Sequence, residues 1–220
     1  MALRQPTSRQ IAALKTALFL LCLLPAARLV VGALQDELGA NPIEFITRSL
    51  GTWTLNFLLI TLAVTPLRHL TGLHWLLRLR RMLGLFVFFY ASLHLATYLW
   101  LDQFFDVMAI AKDVVKRPFI TVGFIAFVLL IPLALTSTNG MIRRLGGKRW
   151  QWLHRSLYAI SMLGILHFWW MRAGKHNFEK PIVFGTIVAL LLLVRVYFAL
   201  RSRSSQQTSA QKRQVTPNPT

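Results

Sequence analysis

The sequence predicts an all-α polytopic membrane protein, a bundle of six transmembrane helices. Three observations carry that prediction. Of the 220 residues, 55% are hydrophobic and only 15% are charged, and the mean hydropathy is +0.52. The apolar residues gather in blocks of about twenty, the length a helix needs to cross a bilayer at about 1.5 Å per residue. Each block is continuously apolar and lacks the period-two alternation of membrane barrel strands.

The six spans fall at about 13–34, 46–66, 82–101, 119–138, 151–171 and 182–200. The first begins behind Arg4 and Arg9, with Lys15 in its first turn. Its opening, with the run TALFLLCLLPAA, has the outline of a signal peptide. Arg28 follows directly and the apolar stretch resumes through LVVGAL, so it reads as a retained span. The third span starts after RLRR and the fifth after RRLGGKRW, which makes these two parallel. Trp53, Trp75, Trp100, Trp150, Trp152, Trp169 and Trp170 cluster near span ends, where an amphipathic ring suits the interface. Residues 1–12 form a short N-terminal segment, and 13–200 form one membrane domain. Residues 201–220, rich in Ser, Gln, Thr and Pro, read as a disordered tail.

Charge sets the orientation. On the side of the N-terminus the loops and ends carry sixteen of the 25 Lys and Arg, among them Arg68, Arg78, Arg80, Arg81, Arg143, Arg144, Lys148 and Arg149. The opposite side carries seven (Arg48, Lys112, Lys116, Arg117, Arg172, Lys175 and Lys180), together with all seven acids. The excess of basic residues places both termini on the cytoplasmic side. The net charge of +18 is then a matter of topology and of attraction to anionic lipid, with no nucleic acid implied.

The chemistry lies with three histidines inside spans: His94, His154 and His167. An imidazole in hydrocarbon is costly without a partner, so such residues mark candidate sites. A lone membrane histidine is ordinarily a helix-packing group; two at one height on parallel helices are a stronger signal. His94 lies thirteen residues beyond Arg81, and His167 about sixteen beyond Gln151. Both therefore stand in the outer half of the bilayer, placed to clamp one haem iron between two helices. His154 stands near the inner end, about 20 Å below His167. The thirteen-residue offset between them leaves about 140° of helix phase; either a distortion at Gly164 relieves it or the two groups serve ligands on different sides. Cys22 is the single cysteine, so neither a disulfide nor a C-x-x-C-H attachment arises, and any haem is b-type.

Several stretches together resemble one family: RLRRMLGL at 78–85, SLHLATY at 92–98, KRPFITVG at 116–123, and TSTNGMIRRLGGKRWQWLHRSLY at 136–158, followed by His167. Their order and spacing over all six spans resemble the ferric reductase transmembrane superfamily of cytochrome b type. Within it they resemble the MsrQ (YedZ) family of haem-binding membrane subunits of bacterial methionine sulfoxide reductase systems. The resemblance implies two stacked haems on two histidine pairs. His94, His154 and His167 match three of the four positions; the fourth falls at Arg80 or Arg81, which as cations do not ligate iron. The outer haem thus keeps His94 and His167 as axial ligands. His154 serves an inner haem or a flavin-side site, with His69 and His74 as geometric candidates for a second ligand. The resemblance further implies flavin mononucleotide (FMN) in some members, although this sequence shows no motif for it. It also implies a periplasmic molybdopterin methionine sulfoxide reductase as partner and acceptor. Arg78, Arg80 and Arg81 are topogenic, with contact to haem propionates or a flavin phosphate as the alternative. Arg28 and Arg195, inside spans, snorkel, meet polar partners or face propionates.

Absent motifs narrow the function. No G-x-G-x-x-G opens a βαβ unit and no stretch has room for a nicotinamide domain, so electrons are expected from membrane quinol or a separate flavin reductase. No triad, zinc or paired-carboxylate arrangement appears. The expected role is an electron-transfer subunit rather than the catalytic subunit of an oxidoreductase. The alternatives are a stand-alone transmembrane ferric reductase, and a non-redox anchor or transporter whose histidines only hydrogen-bond between helices.

Overall fold

In the computed structural model of the chain, residues 6–174 and 176–215 are described, with side chains through Arg201. The described residues are helical, joined by turns. Helix α1, Ser8–Leu34, starts with a reciprocal cap: Thr7 Oγ1 accepts from the Gln10 N–H at 3.3 Å, and Gln10 Oε1 accepts from the Thr7 N–H at 2.8 Å. Helix α2, Pro42–Thr71, is capped by Asn41 and has Pro42 in its first turn, where a missing N–H costs nothing. It closes at Gly72, whose φ of 71° is a left-handed conformation that side chains disfavour.

A short 3-10 turn, His74–Leu76, leads into α3, Leu77–Ala96, which continues as a π turn through Thr97–Asp102. Helix α4, Val107–Lys116, is short and amphipathic, with Asp106 accepting from the N–H groups of Met108 and Ala109. Then follow α5, Pro118–Leu135, and two brief helices, α6, Asn139–Leu145, and α7, Gly147–His154. Helix α8, Ser156–Ala173, and α9, Glu179–Val215, complete the chain.

Five of these segments are long and apolar enough to cross a membrane: Ser8–Leu34, Pro42–Thr71, His74–Asp102, Pro118–Leu135 and Glu179–Arg201. Each overlaps one of the expected spans. The remaining expected span, 151–171, is α8 preceded by α7. Helix α8 has 18 residues, about 27 Å of rise, and carries His167 and Arg172, which dilute its apolar character. The chain is a multi-pass membrane protein of all-α class. Large apolar side chains such as Leu20, Leu24, Leu190 and Leu193 face outward, as a bilayer permits and water does not.

Two differences from the expected layout concern helix ends. The backbone of α9 runs on to Val215, into the 201–220 segment read as a disordered tail. No Gly or Pro interrupts the chain between Gly185 and Pro217, and Gln, Ala, Lys and Arg are good helix formers. Residues 216–220 lie outside the described part. Second, the phase problem between His154 and His167 is resolved at Arg155 rather than Gly164: α7 ends at His154 and α8 begins at Ser156.

The helices pack as a ring of four, α2 against α3, α3 against α5, α5 against α8 and α8 against α2, with α1 and α9 outside. Helix α9 covers α2 and α8. The core between α1, α2 and α3 is aromatic, with Phe57 stacked between Phe86 at 5.5 Å and Tyr90 at 5.1 Å. Leu62 and Tyr90 are fully buried in it, both at 0% exposure.

Candidate metal centre

Helix α3 carries His94 and α8 carries His167, on opposite corners of the ring of four. Each ring is tied to the neighbouring helix by the same kind of bond. His94 Nδ1 donates to the carbonyl oxygen of Thr47 on α2 at 2.8 Å. His167 Nδ1 donates to the carbonyl oxygen of Phe119 on α5 at 2.7 Å. A carbonyl only accepts, so both imidazoles carry their proton on Nδ1 and leave Nε2 with a lone pair. That is the tautomer in which a histidine ligates a metal through Nε2.

The two rings face one another with centroids 6.1 Å apart and planes at 81°. Two metal–imidazole bonds of about 2 Å, with about 1 Å more from each nitrogen to its ring centre, span about 6 Å. The separation therefore suits one metal atom held between them. Both rings remain only half-buried although each stands several turns into its helix, so part of each imidazole is uncovered by protein. Among the described residues no group of three His, Cys, Asp or Glu is placed to hold a bare metal ion. Two imidazoles alone suit a metal that brings its remaining ligands with it, as a macrocycle does.

His154 is held differently. Thr136, capping the end of α5, donates its hydroxyl to the Pro132 carbonyl at 2.6 Å, and its oxygen accepts from His154 Nε2 at 3.2 Å. Trp150 stacks on the imidazole at 3.9 Å and donates its indole N–H to the Thr136 carbonyl at 2.9 Å. Ligation of iron through Nε2 would require Thr136 to give up its bond. The break at Arg155 lets His154 and His167 both meet α5, one near its end at Thr136 and the other near its start at Phe119. His69 stacks on Phe198 at 4.6 Å and shares a 2.8 Å contact with Arg68; His74 is exposed.

The arginines separate by environment. Arg78 and Arg81 are exposed, and Arg81 donates to Asn139 Oδ1 at 2.7 Å; Arg80 is half-buried. Arg195 reaches across from α9 to the Leu62 carbonyl on α2 and, at 2.9 Å, to the Tyr158 hydroxyl on α8. Its guanidinium also lies over the Tyr158 ring, 5.3 Å from the centroid. Of the roles open to it from the sequence, meeting polar partners is the one seen. Arg28 is exposed on α1.

Comparison with known proteins matches residues 47–165 to the family described as ferric reductase like transmembrane component. Curated relatives extend the match over nearly the whole chain. A protein of Herminiimonas arsenicoxydans named protein-methionine-sulfoxide reductase heme-binding subunit MsrQ is 66% identical over 205 residues, covering 93% of this chain and 94% of the relative. Proteins of the same name from Ralstonia nicotianae and Azospira oryzae are each 56% identical. They cover 88% and 97% of this chain, and 89% and 91% of their own lengths.

The chain belongs to the MsrQ family.

For an MsrQ-family chain, residues 47–165 take in Thr47, His94, Phe119 and His154, while the second half of α8, with His167, lies just beyond them. What sequence reasoning passed over are Thr47, Gly51, Phe119 and Gly123, which face the two rings. A Cβ on Gly51 would come within 3.1 Å of His94 Cε1, and one on Gly123 within 2.7 Å of His167 Nδ1. The only available signal was a glycine four residues after each acceptor, in spans two and four. The acceptors themselves are backbone carbonyls, which every residue has. Thr136 and Trp150 around His154 were likewise unmarked.

Proposed function

We propose that the chain is a haem b electron-transfer subunit, with His94 and His167 as axial ligands of one haem in the outer half of the bilayer. The carrying observation is the paired geometry: two Nδ1–H groups committed to helix carbonyls, and facing rings 6.1 Å apart. Relatives at 54–66% identity are named as heme-binding subunits of protein-methionine-sulfoxide reductase, and that supports the same cofactor here. Bound haem supplies a centre that accepts and releases one electron at a time.

The chain's own part is positional. Thr47 and Phe119 orient the ligands and raise their basicity, and the surrounding apolar side chains keep water from the site. Electrons enter from the quinone pool or a cytoplasmic flavin reductase, and both termini lie in the cytoplasm of the inner membrane. They leave to a periplasmic molybdopterin methionine sulfoxide reductase, which repairs oxidised methionines. His154 marks the inner, electron-receiving end, as ligand of a second haem or beside FMN, and Arg78, Arg80 and Arg81 line the same end as contacts for propionates or a flavin phosphate. The partner docks on outer loops 102–118 and 172–181, and loop-swapped variants that keep full coupled reductase activity would remove that surface from consideration. Residues 13–200 form the membrane domain.

The test is the reduced-minus-oxidised spectrum and haem-to-protein ratio of protein purified from haem-replete cells, with single alanine variants at His94, His154 and His167. Loss of haem on changing His94 or His167 supports the proposal. Colourless wild-type protein overturns it.

A further inference from the structure

We infer that Gly51 and Gly123 are positioning residues for the two axial ligands, an inference that rests on the haem reading above. The same arrangement occurs twice. On α2, Thr47 offers the carbonyl and Gly51, one turn later, the gap for His94; on α5, Phe119 offers the carbonyl and Gly123 the gap for His167. Residues four apart share a helix face, so acceptor and gap lie in line under each ring.

The physical reason is proximity rather than backbone freedom. Neither glycine has a positive φ, and each stands inside a helix where glycine costs about 1 kcal/mol against alanine. To donate into a carbonyl that points along the helix axis, the imidazole has to lie flat on the helix surface. A side chain one turn further on would occupy that surface. At Gly123 the added Cβ would stand 2.7 Å from Nδ1 and 2.9 Å from Cε1 of His167, closer than side-chain carbons tolerate. At Gly51 the distances are 3.1 Å to Cε1 and 3.3 Å to Nδ1 of His94, which a small shift accommodates. Alanine at 123 therefore displaces its ring outright, while alanine at 51 only lengthens the Nδ1–H bond. A weaker bond makes the imidazole less basic and favours the reduced iron. Gly84, on the same helix as His94, is a control: its added Cβ would meet Thr61 Cγ2 at an ordinary 3.9 Å.

The experiment compares full-length wild type, Gly51→Ala, Gly123→Ala and Gly84→Ala, purified from haem-replete cells. Three quantities are read: haem transfer to excess apomyoglobin, the g values of the oxidised haem, and its midpoint potential. Gly123→Ala is expected to lose haem about tenfold more readily, the usual scale for removing an outer-shell partner. Gly51→Ala keeps its haem with altered g values and a raised potential, and Gly84→Ala matches wild type. Wild-type values in both Gly51→Ala and Gly123→Ala would overturn the inference while leaving the ligand assignment standing. Should Gly123→Ala fail to accumulate, Gly51→Ala decides by the same readouts. Haem-free wild type, or haem retained with unchanged g values after replacing His94 and His167, would instead overturn the ligand reading itself.

Discussion

Arg195 gives two hydrogen bonds to the carbonyl oxygen of Leu62, from Nε at 3.2 Å and from Nη2 at 2.6 Å. Within α2 that oxygen would ordinarily accept from position 66, but residue 66 is proline and has no N–H. A cation from α9 thus completes the backbone of α2 where the helix itself cannot, in a region without water to do so. Replacing Arg195 by Met is expected to cost about 2–3 kcal/mol, the range for a charge-assisted hydrogen bond that leaves its acceptor orphaned. In a Pro66→Ala background, where the N–H returns, the same replacement costs less. Thermal unfolding of the four proteins in detergent measures the coupling, and strictly additive effects would refute it.

A second proline-bearing helix is bridged differently, since the oxygen that Pro25 itself leaves without a donor is that of Leu21, not the one the bridge reaches. Pro25 interrupts α1, and the Tyr90 hydroxyl from α3 sits between two backbone groups one turn apart, donating to the Cys22 carbonyl at 2.7 Å and accepting from the Ala26 N–H at 3.2 Å. Tyr90→Phe keeps the ring stacking on Phe57 but strands both groups. The expected loss is about 1–3 kcal/mol, read as a fall in melting temperature and faster hydrogen exchange around residues 22–26. An unchanged melting temperature would show that α1 satisfies itself.

Haem loss is expected to separate the histidines. Because His154 Nε2 is engaged with Thr136 and its ring with Trp150, His154→Ala retains the haem held by His94 and His167. The haem-to-protein ratio of that variant, set against wild type, counts the centres. An unchanged ratio assigns His154 to packing or to FMN, and a halved ratio assigns it to a second haem. A variant stripped of all haem would contradict the separation of the two sites.

On the other side of the bundle, Asp113 ties α4 to its surroundings. It is 8% exposed, accepts from the Tyr98 hydroxyl at 3.1 Å, and pairs with Arg117 Nε at 2.7 Å. Asp113→Ala is expected to release α4 from the π turn at Thr97–Asp102 while leaving the haem spectrum unchanged. Hydrogen exchange of peptides covering 107–116 should accelerate several-fold. Equal protection in wild type and variant would mean that α4 is held by its apolar face alone.

Much of the architecture was legible because membrane helices advertise themselves locally. A block of about twenty apolar residues satisfies its own backbone and needs no partner to be recognised. The similar height of His94 and His167 followed from counting residues along parallel helices. The stretch KRPFITVG, noticed only as part of a family pattern, contains both Phe119 and Gly123. Short α4 and α6 were missed because neither has the length of a span, and the break at Arg155 because no Gly or Pro marks it.

The sequence alone determined which segments are long and apolar enough to enter a bilayer and which three imidazoles stand in apolar stretches, since both depend on composition along a single helix. Tertiary structure decided what each imidazole touches. Thr47 lies 47 residues from His94 and Phe119 lies 48 from His167, while Leu62 and Arg195 are separated by 133. Every residue has a carbonyl, and nothing in its side chain says which one another helix will reach. That choice belongs to the crossing of helices, to where a glycine leaves room for a ring and where a proline leaves an oxygen unpaired.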